Sequence, residues 1–274
     1  MTFKQHFTFF IRSFFLQTGW NYMKFQNLGF LFVMWPFLKG LYKNDKDALP
    51  SVLSRYLATF NTQPVMASFC FGALAKQEEL ITGAKTLPQF NEEFSQWISI
   101  KRGLTITTAS IGDRLFWGTL KPFTLLLALF MWITLGIKVF EIQPEQLQPP
   151  LAYTFMACIM AFIAFNAIAL LVKWQGIKIG YATDERACFG LTKFDWNRTI
   201  YNAKRIGIVL AVAMILFGFY NYLKDARASD LQFITRATIV VFFVCISFIT
   251  RRLRIHNLYL YLAAVLVFNI ACFF

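Results

Sequence analysis

Acidic residues are scarce. The 274-residue chain carries 14 Asp and Glu against 27 Lys and Arg, and no acid precedes Asp45. Histidine is scarcer still: only His6 and His256 occur, with no other ligand type beside either at metal spacing, so no metal site is expected. The five cysteines form no Cys-x-x-Cys pair. Cys70, Cys158, Cys245 and Cys272 sit in apolar runs as small hydrophobes and Cys188 lies in a polar segment, which leaves no redox or zinc framework. A serine or cysteine nucleophile with a partnered histidine on facing spans is also missing, so no catalytic residue and no independent catalytic centre is expected. Nor is a cofactor implied.

What is present is apolar. Hydrophobic residues make up 57% of the chain, 33 of them Phe, and charged residues only 15%, with a mean hydropathy of +0.52. No soluble domain of this length is so apolar, so the class is an all-α integral membrane protein in a lipid bilayer. The net charge of +13 does not indicate nucleic acid, because the bases are scattered between apolar runs rather than gathered on a polar helix beside stacking aromatics.

Apolar and polar runs divide the chain into two halves. Residues 1–43 hold Lys4, Arg12, Lys24, Lys39 and Lys43 without an acid, which suits an anionic membrane face. Around Arg12, Phe7, Phe9, Phe10, Ile11, Phe14, Phe15 and Leu16 cover too short a stretch to span, so an interfacial helix is expected. A signal peptide is the rival reading, but the small-residue cleavage site is missing and the N-terminus is expected to be retained. Residues 28–38 are apolar but stopped by Pro36, and helix of that length reaches only about half the hydrocarbon thickness. Val52, Leu53, Tyr56, Leu57 and Phe60 repeat at helical spacing. That helix is expected to end near Asn61, since Pro64 disfavours helical geometry at Gln63. Residues 64–75 form another half-span, followed by the charged run 76–79; residues 82–99, with Gly83, Pro88, Glu92 and Glu93, read as an exposed connector.

Full-length spans begin only after residue 121, at 122–140, 151–172 and 206–223, with shorter runs at 237–250 and 257–274. The expected architecture is therefore a half of short interfacial or re-entrant helices, 1–121, and a half of about five transmembrane helices, 122–274. Broken helices at membrane depth are tolerated where they line a cavity or are buried in protein, and carriers use them to build substrate sites. The rival reading lays the short segments on the cytoplasmic surface as amphipathic helices. Residues 141–150 hold no base, whereas 173–205 hold Lys173, Lys178, Arg186, Lys193, Arg198, Lys204 and Arg205. The first loop is placed outside and the second in the cytoplasm, giving an N-terminus inside and a C-terminus outside.

Between the halves lies the stretch 112–122, Gly-Asp-Arg-Leu-Phe-Trp-Gly-Thr-Leu-Lys-Pro, preceded by Thr105, Thr107, Thr108 and Ser110. Asp113 and Arg114 stand side by side before a long apolar span. A carboxylate at mid-bilayer costs about 2.5–3.5 kcal/mol by insertion scales, so it faces protein, water or substrate rather than lipid. A solvated loop leading into the span is the competing reading.

Four blocks of this sequence resemble the IID subunit of the mannose, fructose and sorbose family of the bacterial sugar phosphotransferase system. They are Trp20-Asn21 with Gln26, Gly29-Phe30, Pro36 and Leu41-Tyr42; Arg55 with Phe60-Asn61-Thr62-Gln63-Pro64; Gly112-Asp113 with Phe116-Trp117-Gly118-Thr119 and Pro122; and Phe165-Asn166 with Gly176, Gly180 and Tyr181. The resemblance implies a multi-pass protein of the bacterial cytoplasmic (inner) membrane. It implies a IIC membrane partner, a phosphorylated IIB (or IIAB) cytoplasmic partner that phosphorylates the incoming hexose-type sugar, and a higher oligomer of IIC/IID pairs. The IID subunit itself carries no phosphohistidine, in keeping with His6 and His256 lying outside every block.

Sugar sites need amides and carboxylates for hydroxyls and an aromatic face for the ring. With the resemblance, that points to Trp20, Asn21, Gln26, Asn61, Gln63, Asp113 and Trp117 as substrate-binding residues. Each also has a plainer role: Asn61 and Gln63 as caps beside Pro64, Trp20 and Trp117 as interfacial anchors, Asp113 with Arg114 as an exposed pair. Two departures from the family stand out. Thr107-Thr108-Ala109-Ser110-Ile111 replaces the usual Gly-Pro-x-Ala-Gly, and Met23-Lys24 lacks the acid that commonly follows Trp-Asn. They leave open an alternative, a degenerate IID-like membrane adaptor or receptor without sugar transport.

Overall fold

The computed structural model describes residues 1–45, 47–140 and 151–226, which are helical almost throughout. The chain forms two compact units, Met1–Leu210 and Ala211–Phe274. In the second unit the described residues continue a helix that begins in the first.

Helix α1 (Phe3–Ser13) opens on a capping box: Thr2 accepts from the Gln5 N–H, and the Gln5 side chain accepts from the Thr2 N–H at 2.7 Å. It turns His6 and Phe9 inward and leaves Phe3 and Phe7 exposed, which is the amphipathic pattern expected of it. Helix α2 (Asn27–Leu41) was expected to stop at Pro36 but runs through it. Proline removes the N–H that would have bonded the carbonyl four residues back. That carbonyl, on Phe32, accepts instead from Arg12 Nη1 at 2.6 Å, while the guanidinium stacks 4.3 Å from the Phe32 ring centroid.

Helix α3 (Leu49–Tyr56) ends before the expected Asn61. Tertiary pairing draws the chain out of the helix: Gln26 N–H donates to the Phe60 carbonyl at 2.8 Å, and Phe60 N–H to the Lys24 carbonyl at 3.4 Å. Phe60 then stacks on Phe30, centroids 4.1 Å apart.

Helix α4 (Ala67–Gly83) is the buried centre of the unit, and its most extensive partner is α7 (Leu151–Ala182). Small residues allow the two backbones to touch. A Cβ on Gly180 would lie 3.2 Å from the Ala73 nitrogen, and one on Gly176 would lie 3.0 Å from the Phe69 ring. The charged run 76–79, expected to follow the half-span 64–75, continues the same helix, and Glu78 within it is fully buried. Lys173, counted above as a loop base, is buried in α7 and donates to the Ser13 carbonyl at 3.2 Å.

The expected connector 82–99 is mostly helix: α5 (Leu87–Gly112), N-capped by Thr86, starts inside it. From α5 the chain passes without a break through a π-helical segment, Asp113–Leu120, into α6 (Lys121–Phe140). After α7, a 3₁₀ segment, Glu185–Lys193, leads to α8 (Trp196–Ala226). Among the described residues, three stretches are long and apolar enough to cross a membrane: Leu87–Trp132, Thr154–Ala182 and Cys188–Phe217. The spans expected at 122–140, 151–172 and 206–223 all fall on helices α6, α7 and α8. Those expected at 237–250 and 257–274, and the loop 141–150, lie outside the described residues. Phe155, Ile159, Phe162 and Ile163 on α7 and Ile208, Val209 and Val212 on α8 are exposed, a composition that lipid covers at no cost.

Candidate functional site

The motif blocks, far apart in sequence, are tied together by side-chain amides and hydroxyls. Gln26 bonds the backbone of Thr62 in both directions, its Nε2 donating to the carbonyl at 2.9 Å and its Oε1 accepting from the N–H at 3.0 Å. The Thr62 hydroxyl lies 2.7 Å from that of Thr108 on α5. Gln63 Oε1 accepts from the N–H groups of Val65 and Met66, at 2.7 and 2.8 Å, and so covers donors that the start of α4 leaves open. Gly112 seats directly on Gln63, where a Cβ would come within 2.7 Å of the Gln63 Cγ. Asn21 donates to Asn27 Oδ1 and Asn27 to the Leu57 carbonyl, both at 2.8 Å. The turn closing on Asn21 places Phe25 at φ 58°, in the left-handed region that bulky residues seldom occupy.

The seven candidates thus separate into two kinds. Gln26 and Gln63 are buried and engaged with backbone, and Asn21 is half-buried in the same framework. Trp20, Asn61, Asp113 and Trp117 are exposed. Asp113 and Arg114 share no salt bridge, unlike Arg55 with Glu78 and Lys76 with Glu79.

In the π segment the extra residue per turn is visible in the bonds. The Lys121 N–H reaches back five residues to the Phe116 carbonyl, and the Thr119 hydroxyl donates to Arg114 O at 2.7 Å. Leu115, Phe116, Thr119 and Leu120 are buried, so Asp113, Arg114, Trp117 and Gly118 form the outer side. π segments inside α-helices recur at functional sites. Trp117, with Lys121 5.1 Å over its ring, lines a cavity of about 320 Å³ shared with Phe165 and Asn166. There the third and fourth blocks meet.

A second centre was not among the candidates. Glu78 accepts from the Tyr42 hydroxyl at 2.7 Å and the Tyr56 hydroxyl at 3.0 Å, and pairs with Arg55. Burial raises the pKa of both tyrosines, so both remain donors. Glu78 falls on the same stripe of α4 as the buried Phe71, Leu74 and Ile81, and that periodicity is the signal by which it was legible. Beside it, between α3 and α5, opens a cleft of about 600 Å³ lined by Arg55, Asn61, Phe94, Trp97, Lys101 and Arg102, among others. Asn61 is the one candidate that reaches it. Lys101 lies on the buried stripe of α5 with Trp97, Leu104 and Thr108, again a periodic position.

Buried polar clasps beneath long helices with exposed apolar faces define an all-helical, multi-pass membrane protein. Residues 1–137 match the family described as the PTS system mannose/fructose/sorbose family IID component, and the chain belongs to that family. It is 30% identical over 174 residues to the mannose-specific EIID component of Escherichia coli K12, covering 63% of this chain and 53% of that protein. It is 33% identical over 181 residues to the fructose permease IID component of Bacillus subtilis, covering 66% and 57%. The sorbose-specific EIID component of Klebsiella pneumoniae is 29% identical over 172 residues, covering 63% and 54%. The chain spans about half the length of the curated relatives it matches. Two solved structures share the fold. One is a chain of the cryo-EM structure of the mannose transporter ManYZ with microcin E492 (TM-score 0.51, 21% identity, 100% of this chain and 96% of that one). The other is a chain described as a membrane protein (TM-score 0.61, 22% identity, 99% and 96%).

Proposed function

We propose that this chain is the IID membrane subunit of a phosphotransferase-system permease that takes up a hexose-type sugar. In this reading it works with a IIC membrane subunit in a higher oligomer of such pairs, and a phosphorylated IIB protein hands its phosphoryl group to the sugar. One observation carries the reading: the family match, residues 1–137, coincides with the region whose motif side chains are locked together. Residues 1–121 carry the first three motif blocks, with α1 to α4 as short interfacial or re-entrant elements toward the partner, and residues 122–274 about five transmembrane helices, of which α6 continues α5; the N-terminus lies inside and the C-terminus outside. Gln26, Gln63 and Asn21 hold the frame, while Trp20, Asn61, Asp113 and Trp117 present an aromatic and polar surface to the sugar or to the IIC subunit.

Asp113 decides the matter most directly, because it is exposed and its loss breaks no salt bridge among the described residues. With IIC and phosphorylated IIB present, Asp113→Ala and Asp113→Asn are expected to leave complex recovery intact and to lower sugar phosphorylation at least ~10-fold, the range for a lost charge-assisted contact. Wild-type phosphorylation in both variants removes Asp113 from the site. A second reading, the adaptor without transport, is favoured by one feature: residues 107–111 continue α5 as unbroken helix, where family members usually have Gly-Pro-x-Ala-Gly. The wild-type complex assembling yet phosphorylating no sugar would select it.

A further inference from the structure

We propose that the cleft between α3 and α5 binds a phosphate group. Arg55, Lys101 and Arg102 line it, and among the described residues no acidic one does. Arg55 is answered by Glu78 behind the wall. Lys101 is only 7% exposed, and its ammonium donates to the Arg55 carbonyl at 3.2 Å while lying 5.4 Å from the Trp97 and 5.6 Å from the Phe30 ring centroids. Carbonyl and ring faces ease a buried cation, but they do not neutralise it, and a buried charge ordinarily has a counter-ion. Two further buried donors on these residues, Arg55 Nε and the Trp97 indole N–H, have no hydrogen-bond acceptor among the described residues.

The ligand class follows from count and shape. Two cations, Lys101 and Arg102, remain after the Arg55–Glu78 pair, and a phosphate carries between one and two negative charges near neutral pH with several oxygens to share among donors. A single carboxylate satisfies half of that. Phe94, Ile98 and Ile106 give the rest of the cleft apolar walls, suited to whatever the phosphate is esterified to. The same phosphate chemistry comes from two sources, a free phosphate or the headgroup of an anionic phospholipid. The inference goes beyond the transport reading and does not depend on it, since its readout is binding rather than uptake.

The test uses the full chain purified in detergent, with Lys101→Met and Arg102→Ala as variants; the second changes an exposed residue and keeps the test open if the first fails to fold. Inorganic phosphate is titrated calorimetrically. In parallel, protein reconstituted with phosphatidylcholine alone or mixed with phosphatidylglycerol is examined by native mass spectrometry for retained lipid. Saturable phosphate binding, weakened at least ~10-fold by the substitutions as expected for a lost charge-assisted bond, supports the site with a free phosphate as its source. Retained phosphatidylglycerol that falls as sharply in the variants supports it with the lipid headgroup as the source. No saturable phosphate binding and no selective lipid retention, or binding that the variants share equally with wild type, overturns the proposal.

Discussion

The region around α4 and the helices α7 and α8 handle polarity in opposite ways. Around α4, Glu78, Gln26, Gln63, Thr62 and Thr108 are all buried, each with named partners. In the most apolar windows of Thr154–Ala182 and Cys188–Phe217, only 11% is buried. One region owes its shape to internal hydrogen bonds that only one arrangement satisfies; the other is a set of apolar cylinders for which lipid is as good a neighbour as protein. Sequence variation should therefore be tolerated on the second and punished in the first.

Glu78 offers the sharpest way to break this contrast. Glu78→Ala leaves the half-buried Arg55 without its counter-charge and strands two tyrosine hydroxyls, at a cost of about 3 kcal/mol, the lower end for breaking a buried pair, read as lost recovery of folded protein or a lowered unfolding temperature in detergent. A variant that unfolds with wild type would mean that the buried centre is not what holds the region. Next is the α4–α7 crossing: Gly180→Leu forces the backbones apart and should cost about 1–3 kcal/mol. The exposed Ile163→Ala should stay within about 0.5 kcal/mol. Equal effects at the two positions would erase the distinction between a packed face and a lipid face of one helix.

A smaller effect concerns Arg12. Removing it strips the Phe32 carbonyl of its donor, for about 1 kcal/mol. In a Pro36→Ala background the restored N–H takes that carbonyl, and Arg12→Ala should then cost less; a double-mutant cycle with no coupling refutes the pairing. The smallest effect is the pH response of α1. Burial lowers the pKa of His6 below 6.5, the nearby Lys178 charge lowers it further, and a hydrogen bond with the Trp174 carbonyl partly opposes both. A depressed value means the folded form keeps His6 neutral. Its contribution is present above pH 6.5 and lost as the pH falls through the folded value. Amide exchange in residues 3–13, corrected for intrinsic rates, should quicken as the pH is lowered from 6.5 in wild type and much less in His6→Asn.

How much was legible follows the same divide. Helices α6, α7 and α8 could be read from apolar length alone, because in the membrane length and hydropathy decide. The four blocks were legible as a family pattern, and contacts among Gln26, Thr62, Gln63 and Gly112 join the first three of them in space. Other features depend on partners distant in sequence and were not. Pro36 reads as a stop until Arg12, 24 residues earlier, supplies the missing donor. Residues 57–60 read as the last turn of a helix ending near Asn61 until residues 24–26 pair with Phe60. Glu78 lay within a run read only as charged and Lys101 was not singled out, although both fall on the buried stripes of their helices.

The π segment also sets the angular phase of the long helix in which it sits. An α-helix turns about 100° per residue, so one inserted residue rotates everything after it by about that much relative to everything before. Before the segment, α5 packs on α4; after it, α6 packs on α7. The segment works as a fixed gear between two meshing partners, and the length of this short stretch, counted in single residues, selects which neighbour the second half of the helix engages.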